Sequence, residues 1–283
     1  MNIFIELIPS GIMQGLILSL VALGVMIPFK ILNFPDLTSE GSYPLGAASY
    51  AAFVYMQFGP IESCIAASII AGIAGSCTAV LHLRLKINTL LAGIIISTMI
   101  YSINLRFMGK PNVALFEYNN IFSMLGASDI TLKILYILIM NAIIIIPFVM
   151  FLYTEKGLRF RAVGANPIFA EKQGINISKY TIVGLFAGNA LCGFAGSLMV
   201  QVQGYADIGM GVGIVVHALA ALMIGEVLVD NKTMTRTIIS PFCGALVYSQ
   251  VQCLALAAGL APSDMKLFTG IIVLVVLMIR KRI

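Results

Sequence analysis

The chain has 283 residues, of which 60% are hydrophobic and only 10% charged, with a mean hydropathy of +1.01 and a formal net charge of +5. Soluble domains carry about 25% charged residues, and a chain this poor in charge lacks the polar surface to cover a soluble core. The composition therefore argues against a soluble enzyme, a disordered scaffold or a nucleic-acid-binding domain, and for an all-α polytopic membrane protein.

Nine apolar runs follow in chain order, at about 9–29, 41–57, 61–83, 89–107, 131–153, 180–200, 209–229, 236–258 and 265–280. Each is expected to be a transmembrane helix, because the bilayer core offers no water to unpaired backbone groups. A β-barrel would show short alternating segments instead. The N-terminal stretch has no basic residue ahead of its apolar run, so the first run reads as a retained span rather than a cleaved signal. With Arg280, Lys281 and Arg282 placed in the cytoplasm, nine alternating spans put thirteen of the seventeen basic residues on the cytoplasmic side and four (Arg106, Lys110, Lys133, Lys266) outside. That asymmetry follows the positive-inside rule. The five cysteines all lie in apolar runs, which suggests buried thiols rather than a disulfide framework or a metal site. Neither GxxxxGK[ST], HExxH nor CxxC occurs, and the two histidines, His82 and His217, read as neutral rings bonded within the helical bundle.

Two stretches interrupt the apolar pattern. Between the first two runs, Asn33, Asp36, Thr38, Ser39, Glu40 and Ser42 surround Pro35. Polar residues at a broken helix start suit a substrate pathway, and a solvated turn with Thr38 or Ser39 as helix cap is the alternative. The span model puts this stretch near the cytoplasmic edge. The second interruption, 154–179, is the long cytoplasmic loop and holds five basic residues. Gly157 is expected to end the preceding helix, Leu158–Val163 to form a short amphipathic helix, and Gly164, Asn166 and Pro167 to turn the chain. The loop suits either docking to a soluble partner or contact with lipid headgroups.

Three further features are weaker. Gln201, Gln203, Tyr205 and Asp207 with Gly209, Gly211 and Gly213 suit a polar pathway mouth or a re-entrant turn, and Asn104 is a further lining candidate. Gly184, Gly188, Cys192 and Gly196 recur every fourth residue, a small-residue stripe for close helix packing. Glu226 has Lys232 and Arg236 nearby in sequence, which suggests a boundary ion pair.

The segment GLRFRAVGANPIFAEKQGINISKY (157–180) resembles the coupling-loop region of bacterial ATP-binding cassette importer permeases of the branched-chain amino acid and ribose type. FPDLTSEGSYPLGAA (34–48), LKINTLLAGI (85–94), YSINLRFMGKPN (101–112), QVQGYADIGMGVG (201–213) and PSDMKL (262–267) resemble, in the same order, blocks of permeases of tryptophan/tyrosine-type importers. Glu40 departs from that pattern, which has Asp at this position. The resemblance covers almost the whole chain. It implies a single permease domain, 1–283, with a fold related to the vitamin B12 importer (type II), a coupling loop at 154–179, and a position in the bacterial inner membrane. It also implies a second permease copy, two separate ATPase subunits that use ATP and Mg, and a lipid-anchored binding protein outside. The chain itself would bind no cofactor or metal. Gly157, Leu158, Arg159, Phe160, Arg161, Gly164, Asn166 and Pro167 would contact the ATPase, with Leu158 and Phe160 supplying buried area. Asn33, Asp36, Thr38, Glu40, Ser42, Asn104, Gln201 and Gln203 would line the path of a small solute such as an aromatic amino acid. An ion-coupled secondary transporter is the alternative and would need ionisable groups at mid-membrane.

Overall fold

The computed structural model describes residues 2–127, 129–229, 233–261 and 264–280, with side chains from residue 7 onward except those of 277, 279 and 280. Lys232, Pro262, Ser263, Lys281, Arg282 and the Arg280 side chain, used in the arguments above, lie outside the described residues. In chain order the helices are α1 (Asn2–Met26), continued by a π-helical turn (Ile27–Ile31), α2 (Ser39–Tyr55), α3 (Pro60–Leu85), α4 (Thr89–Met108), α5 (Ile121–Met124), α6 (Ile130–Tyr153), α7 (Glu155–Ala165), α8 (Pro167–Lys172), α9 (Ile177–Gln203), α10 (Ile214–Leu228), α11 (Met234–Ala257) and α12 (Met265–Arg280). Strands β1 (Asn112–Ala114) and β2 (Tyr205–Asp207) pair antiparallel, and β2 runs into a 3-10 turn, Ile208–Gly211.

All nine predicted apolar runs are helical. Among the described residues, seven helices are long and apolar enough to cross a membrane, not nine. The helix α10, with 15 residues, reaches this length only with the turn before it, as Ile208–Leu228, and the two that fall short are α2, with 17 residues, and α12, with 16. At 1.5 Å per residue they reach about 24–26 Å, less than a hydrocarbon core of about 30 Å. The α2 helix is the centre of the molecule rather than a lipid-facing span: 13 of its 17 residues are buried. It lies among α3, α4 and α9. At the other extreme, α6 presents Leu135, Ile139, Ile143, Ile146 and Met150 outward.

Small residues make this centre possible. A Cβ on Gly46 would run into the Gly193 carbonyl, and one on Gly196 into that of Tyr43, so α2 and α9 touch backbone to backbone. Gly24 and Gly188 approach in the same way between α1 and α9. The stripe expected along α9 therefore serves several neighbours: Gly184 faces Leu32 and Phe160, Gly188 and Cys192 face α1, and Gly196 faces α2. Without a strong hydrophobic drive in lipid, such close van der Waals contact is a main source of helix association.

A buried polar cluster adds direction to this packing. Asn189, inside α9, donates from Nδ2 to Asp36 Oδ2 at 2.7 Å and accepts from Ser42 Oγ at Oδ1 at 2.8 Å. Asp36 Oδ1 accepts the Thr38 backbone N–H at 2.8 Å, and Thr38 Oγ1 meets Thr78 Oγ1 of α3 at 2.6 Å. Asp36, Thr38, Ser42, Thr78 and Asn189 are all fully buried. Neither Thr38 nor Ser39 caps α2 through its side chain as expected; Asp36 does the work from two residues upstream. In this connector, outside the spanning segments, burial pushes the Asp36 carboxyl above the ordinary carboxylate range, and the bonds from Thr38 and Asn189 pull it back.

Toward the other end, the segment between α4 and α6 is tied down by strand pairing and by a side-chain clamp. Asn112, Val113 and Ala114 pair with Asp207, Ala206 and Tyr205. Gln201 Oε1 accepts the Ile121 N–H at 2.8 Å, fixing α5 to the end of α9. Of the cysteines, Cys64, Cys192 and Cys253 are buried free thiols, Cys243 is half-buried, and Cys77 is exposed, contrary to expectation. Cys77 lies on α3, whose Ile65, Ile69 and Ile73 also face outward.

Replacing Asn189 by Leu strands the Asp36 carboxyl and the Ser42 hydroxyl without water, at an expected cost of about 3 kcal/mol. Ser42→Ala, which removes one neutral partner, should cost about 1 kcal/mol. Thermal unfolding of the detergent-purified chain should rank the two in that order; equal midpoints would contradict the central role given to Asn189. Gly46→Val, which forces α2 away from α9, should lower the midpoint at least as far as Asn189→Leu.

Candidate functional site

The predicted pathway residues divide into two groups. Asp36, Thr38 and Ser42 face the protein interior and complete the polar cluster described above. Gln201 is also an internal clamp: besides holding Ile121, its Nε2 donates to Cys64 Sγ and the Ser197 carbonyl. Asn33 is exposed, in the left-handed region at φ 52°. Glu40 and Asn104 line one cavity, Gln203 a second, and Gln201 shares a third, of about 160 Å³, with Gln203.

Glu40 and Asn104 share one cavity of about 330 Å³ between α2, α4 and the turn 208–212. Its walls are set by glycines. A Cβ on Gly41 would press on Ser97 of α4, and one on Gly211 would hit the Glu40 carbonyl and the Pro44 ring. These contacts place Glu40 opposite the middle of α4, near Ser97, rather than at the cytoplasmic edge expected from the span model. The reason is the chain's path: the segment after β2 dips inward to Gly211, and the connector 32–38 carries the start of α2 inward from the opposite end. The Asn104 side chain is buried, and its Oδ1 has no hydrogen-bond partner. Tyr101 and Thr98 are exposed at the rim. Gln203 borders a second cavity of about 770 Å³ with Asn112, Asp207 and Tyr205 at the strand pair. Gly209 belongs to the walls of both, so the turn 208–212 divides the open end of the molecule from its mid-depth cavity.

At the far end lies α7–α8. Thr154, in extended conformation, separates α6 from α7 and accepts the Gly157 N–H to cap the new helix. Gly157 is therefore inside α7 and does not end α6; a Cβ there would strike the Phe151 and Leu152 backbone. Gly164, expected in a turn, is also helical and sits on the Ile31 carbonyl of the π-helical turn. The turn is made by Asn166 alone, whose Oδ1 accepts the Phe169 N–H to start α8 at Pro167. Phe160 is buried against Phe151 and Tyr180 and packs inside the chain's own core, not toward a partner.

The outward side of α7–α8 is different in kind. Leu158, Ile168 and Phe169 are 59%, 70% and 56% exposed, three large apolar side chains on two short helices, and the exposed Arg159 pairs with Glu155 at 3.7 Å. The half-buried Arg161 has its Nε buried with no hydrogen-bond partner. Ile168 and Phe169 were not singled out from sequence, although their position directly after an Asn-Pro helix start was a usable signal. Asn189 and Thr78 were also missed; an Asn inside a glycine-rich apolar helix is the sign that was available.

Glu226 pairs with Lys30 at the end of the π-helical turn, 196 positions away, and Lys232, one of the partners expected for it, lies outside the described residues. His82 Nδ1 meets the Ile87 carbonyl at 2.7 Å, and His217 Nδ1 meets Tyr248 Oη at 2.7 Å. Among the described residues no group of His, Cys, Asp and Glu is placed to hold a metal ion.

Residues 7–278 match the family described as branched-chain amino acid transport system / permease component. The chain is 36% identical over 265 residues to the tyrosine transport system permease protein of Clostridioides difficile (strain R20291), covering 94% of this chain and 88% of that protein. It is 33% identical over 286 residues to an uncharacterized protein of Rickettsia prowazekii (strain Madrid E), covering 100% and 99%. A 61-residue stretch is 41% identical to part of an uncharacterized protein of Mycoplasma genitalium, covering 21% and 20%. No solved structure shows a significant match. The apolar helices, the buried centre and the end-to-end match agree, and the chain belongs to the branched-chain amino acid transport system permease family, as a multi-pass membrane protein of the tyrosine-type branch.

Proposed function

We propose that the chain is the membrane subunit of a bacterial importer in which separate ATPase subunits, bound to α7–α8 on the cytoplasmic side, drive alternating access for an aromatic amino acid. In this reading residues 1–283 form one type II permease domain, and 154–179 is its coupling loop. The C-terminus is cytoplasmic and the membrane is the inner membrane. A lipid-anchored binding protein delivers solute to the end that carries β1, β2 and α5. The aromatic amino acid is suggested by the name of the Clostridioides difficile relative.

The observation that carries the reading is the split surface of α7–α8. Its inner face is locked to the π-helical turn through Gly164 and to the core through Phe160, so a push on it moves the end of α1. Its outer face offers Leu158, Ile168 and Phe169 to a partner, with Arg159 to orient the approach. Apolar anchors with a charged rim are how protein interfaces divide affinity from orientation. A second copy of the chain is supported by the mid-depth cavity. It opens past Thr98 and Tyr101 to the outside of one subunit, where lipid against Glu40 would be costly; an apposed subunit shields it from lipid.

Leu158→Asp combined with Phe169→Asp should reduce recovery of the ATPase with the affinity-purified permease by about tenfold or more and abolish ATP-dependent tyrosine uptake, with unfolding temperature unchanged. Phe160→Ala should instead destabilise the chain by about 3 kcal/mol. Retention of full ATPase binding by the double variant would refute docking at α7–α8.

A further inference from the structure

We infer that the cavity between α2, α4 and the turn 208–212 binds the ammonium group of the transported solute, with Glu40 as its counter-charge and the Asn104 amide oxygen as a second acceptor. This rests on the reading of the chain as an importer permease, and it identifies the chemistry of a site within it.

Four observations converge. Glu40 is the one charged residue of α2, and it lies opposite the middle of α4, where an ionised group is expensive to keep without a purpose. Among the described residues no hydrogen bond or ion pair engages its carboxylate. Asn104, 1% exposed, lines the same cavity with a bare Oδ1. A buried acceptor left unpaired is costly unless something else occupies it. The hydroxyls of Ser97 and Thr98, on the same wall, already donate to carbonyls of their own helix, so what they offer inward is oxygen lone pairs. The lining holds neither Lys, Arg nor His.

The cavity is thus a set of acceptors without a donor cation. It suits a group with several N–H donors and a positive charge, and it leaves a carboxylate on the same solute to point away from Glu40. A primary ammonium has three donors and a compact charge; Glu40, Asn104 and a hydroxyl oxygen can take one each. The Tyr101 ring at the rim offers a surface for the apolar part of the solute or for the cation itself. The volume, about 330 Å³, is at the small end of ligand pockets, about 300–1,000 Å³.

The test uses membranes containing the full chain with Thr98→Cys, a position already exposed at the rim. Its modification is followed by mass spectrometry of the peptide that carries it, which separates it from the native cysteines. A positively charged methanethiosulfonate reagent should react faster than a negatively charged one by roughly tenfold or more, after each rate is normalised to a free thiol. Adding Glu40→Gln should bring that ratio close to one. L-tyrosine and tyramine should protect the thiol, and 3-(4-hydroxyphenyl)propionate, which lacks the amino group, should not. Glu40→Gln and Asn104→Leu should each weaken protection by roughly tenfold or more. A rate ratio unaffected by Glu40→Gln, equal protection by the propionate, or no protection by either amine overturns the ammonium site. Protection by tyramine but not by L-tyrosine keeps the ammonium site and refutes the amino-acid substrate. Loss of ATPase docking in the Leu158/Phe169 variant bears on the importer reading alone.

Discussion

The amide of Asn189 is the contact on which the arrangement of the bundle depends. Its two ends are used differently, a donor toward the connector before α2 and an acceptor toward α2 itself. Small residues bring the helices close but say little about rotation, since a glycine face tolerates sliding. A two-ended hydrogen bond does not. By holding Asp36 and Ser42 at once, Asn189 sets both the depth and the facing of α2. Glu40 lies between those two residues in sequence and is therefore aimed away from the cluster, toward α4. The cavity that contains Glu40 is in this sense a by-product of where the amide sits. Gly75 of α3 leaves the room: a Cβ there would collide with the Asn189 amide and the Leu185 carbonyl.

Much of the fold was legible in the sequence because membrane helices announce themselves by length and hydropathy, and all nine runs are helical. What hydropathy cannot separate is a helix facing lipid from a short helix wrapped in protein. The α2 run is apolar because of Ala, Gly, Leu, Val and Tyr, and those residues suit either environment. The glycine pattern of Gly41 and Gly46 was the better guide, as it was for α9. The end of α6 falls where the apolar run predicts, at Tyr153, but its cause was misread for a related reason. Gly157 has the look of a helix stop, but its small size serves a tight corner inside the next helix. The break itself is a backbone turn at Thr154, a residue with little local signal.

The candidate sites were legible in outline and not in role. Polar residues between the first two runs did mark the most constrained part of the molecule. Their division into internal braces (Asp36, Thr38, Ser42) and a cavity group (Glu40) depends on partners from α3 and α9 far away in sequence. Gln201 illustrates the same point, since its target, the Ile121 N–H, is 80 positions distant. In the segment 154–179 a short helix is present as expected, but the facing of its residues was not legible. Phe160 and Gly164 look inward, and the apolar surface is carried by Leu158, Ile168 and Phe169.

The span in sequence of the Asn189 contacts has a further consequence for biogenesis. Ser42 and Asp36 find their partner 147 and 153 positions later in the chain. At roughly 5–20 residues per second of synthesis, about 8–30 s pass before α9 exists. During that interval α2 has neither its brace nor the glycine face it packs against, and it is too short and too polar at its start to settle in lipid alone. The newborn α2 must wait in a sheltered place, at the insertion machinery or beside α1 and α3, until α9 closes over a helix made long before it.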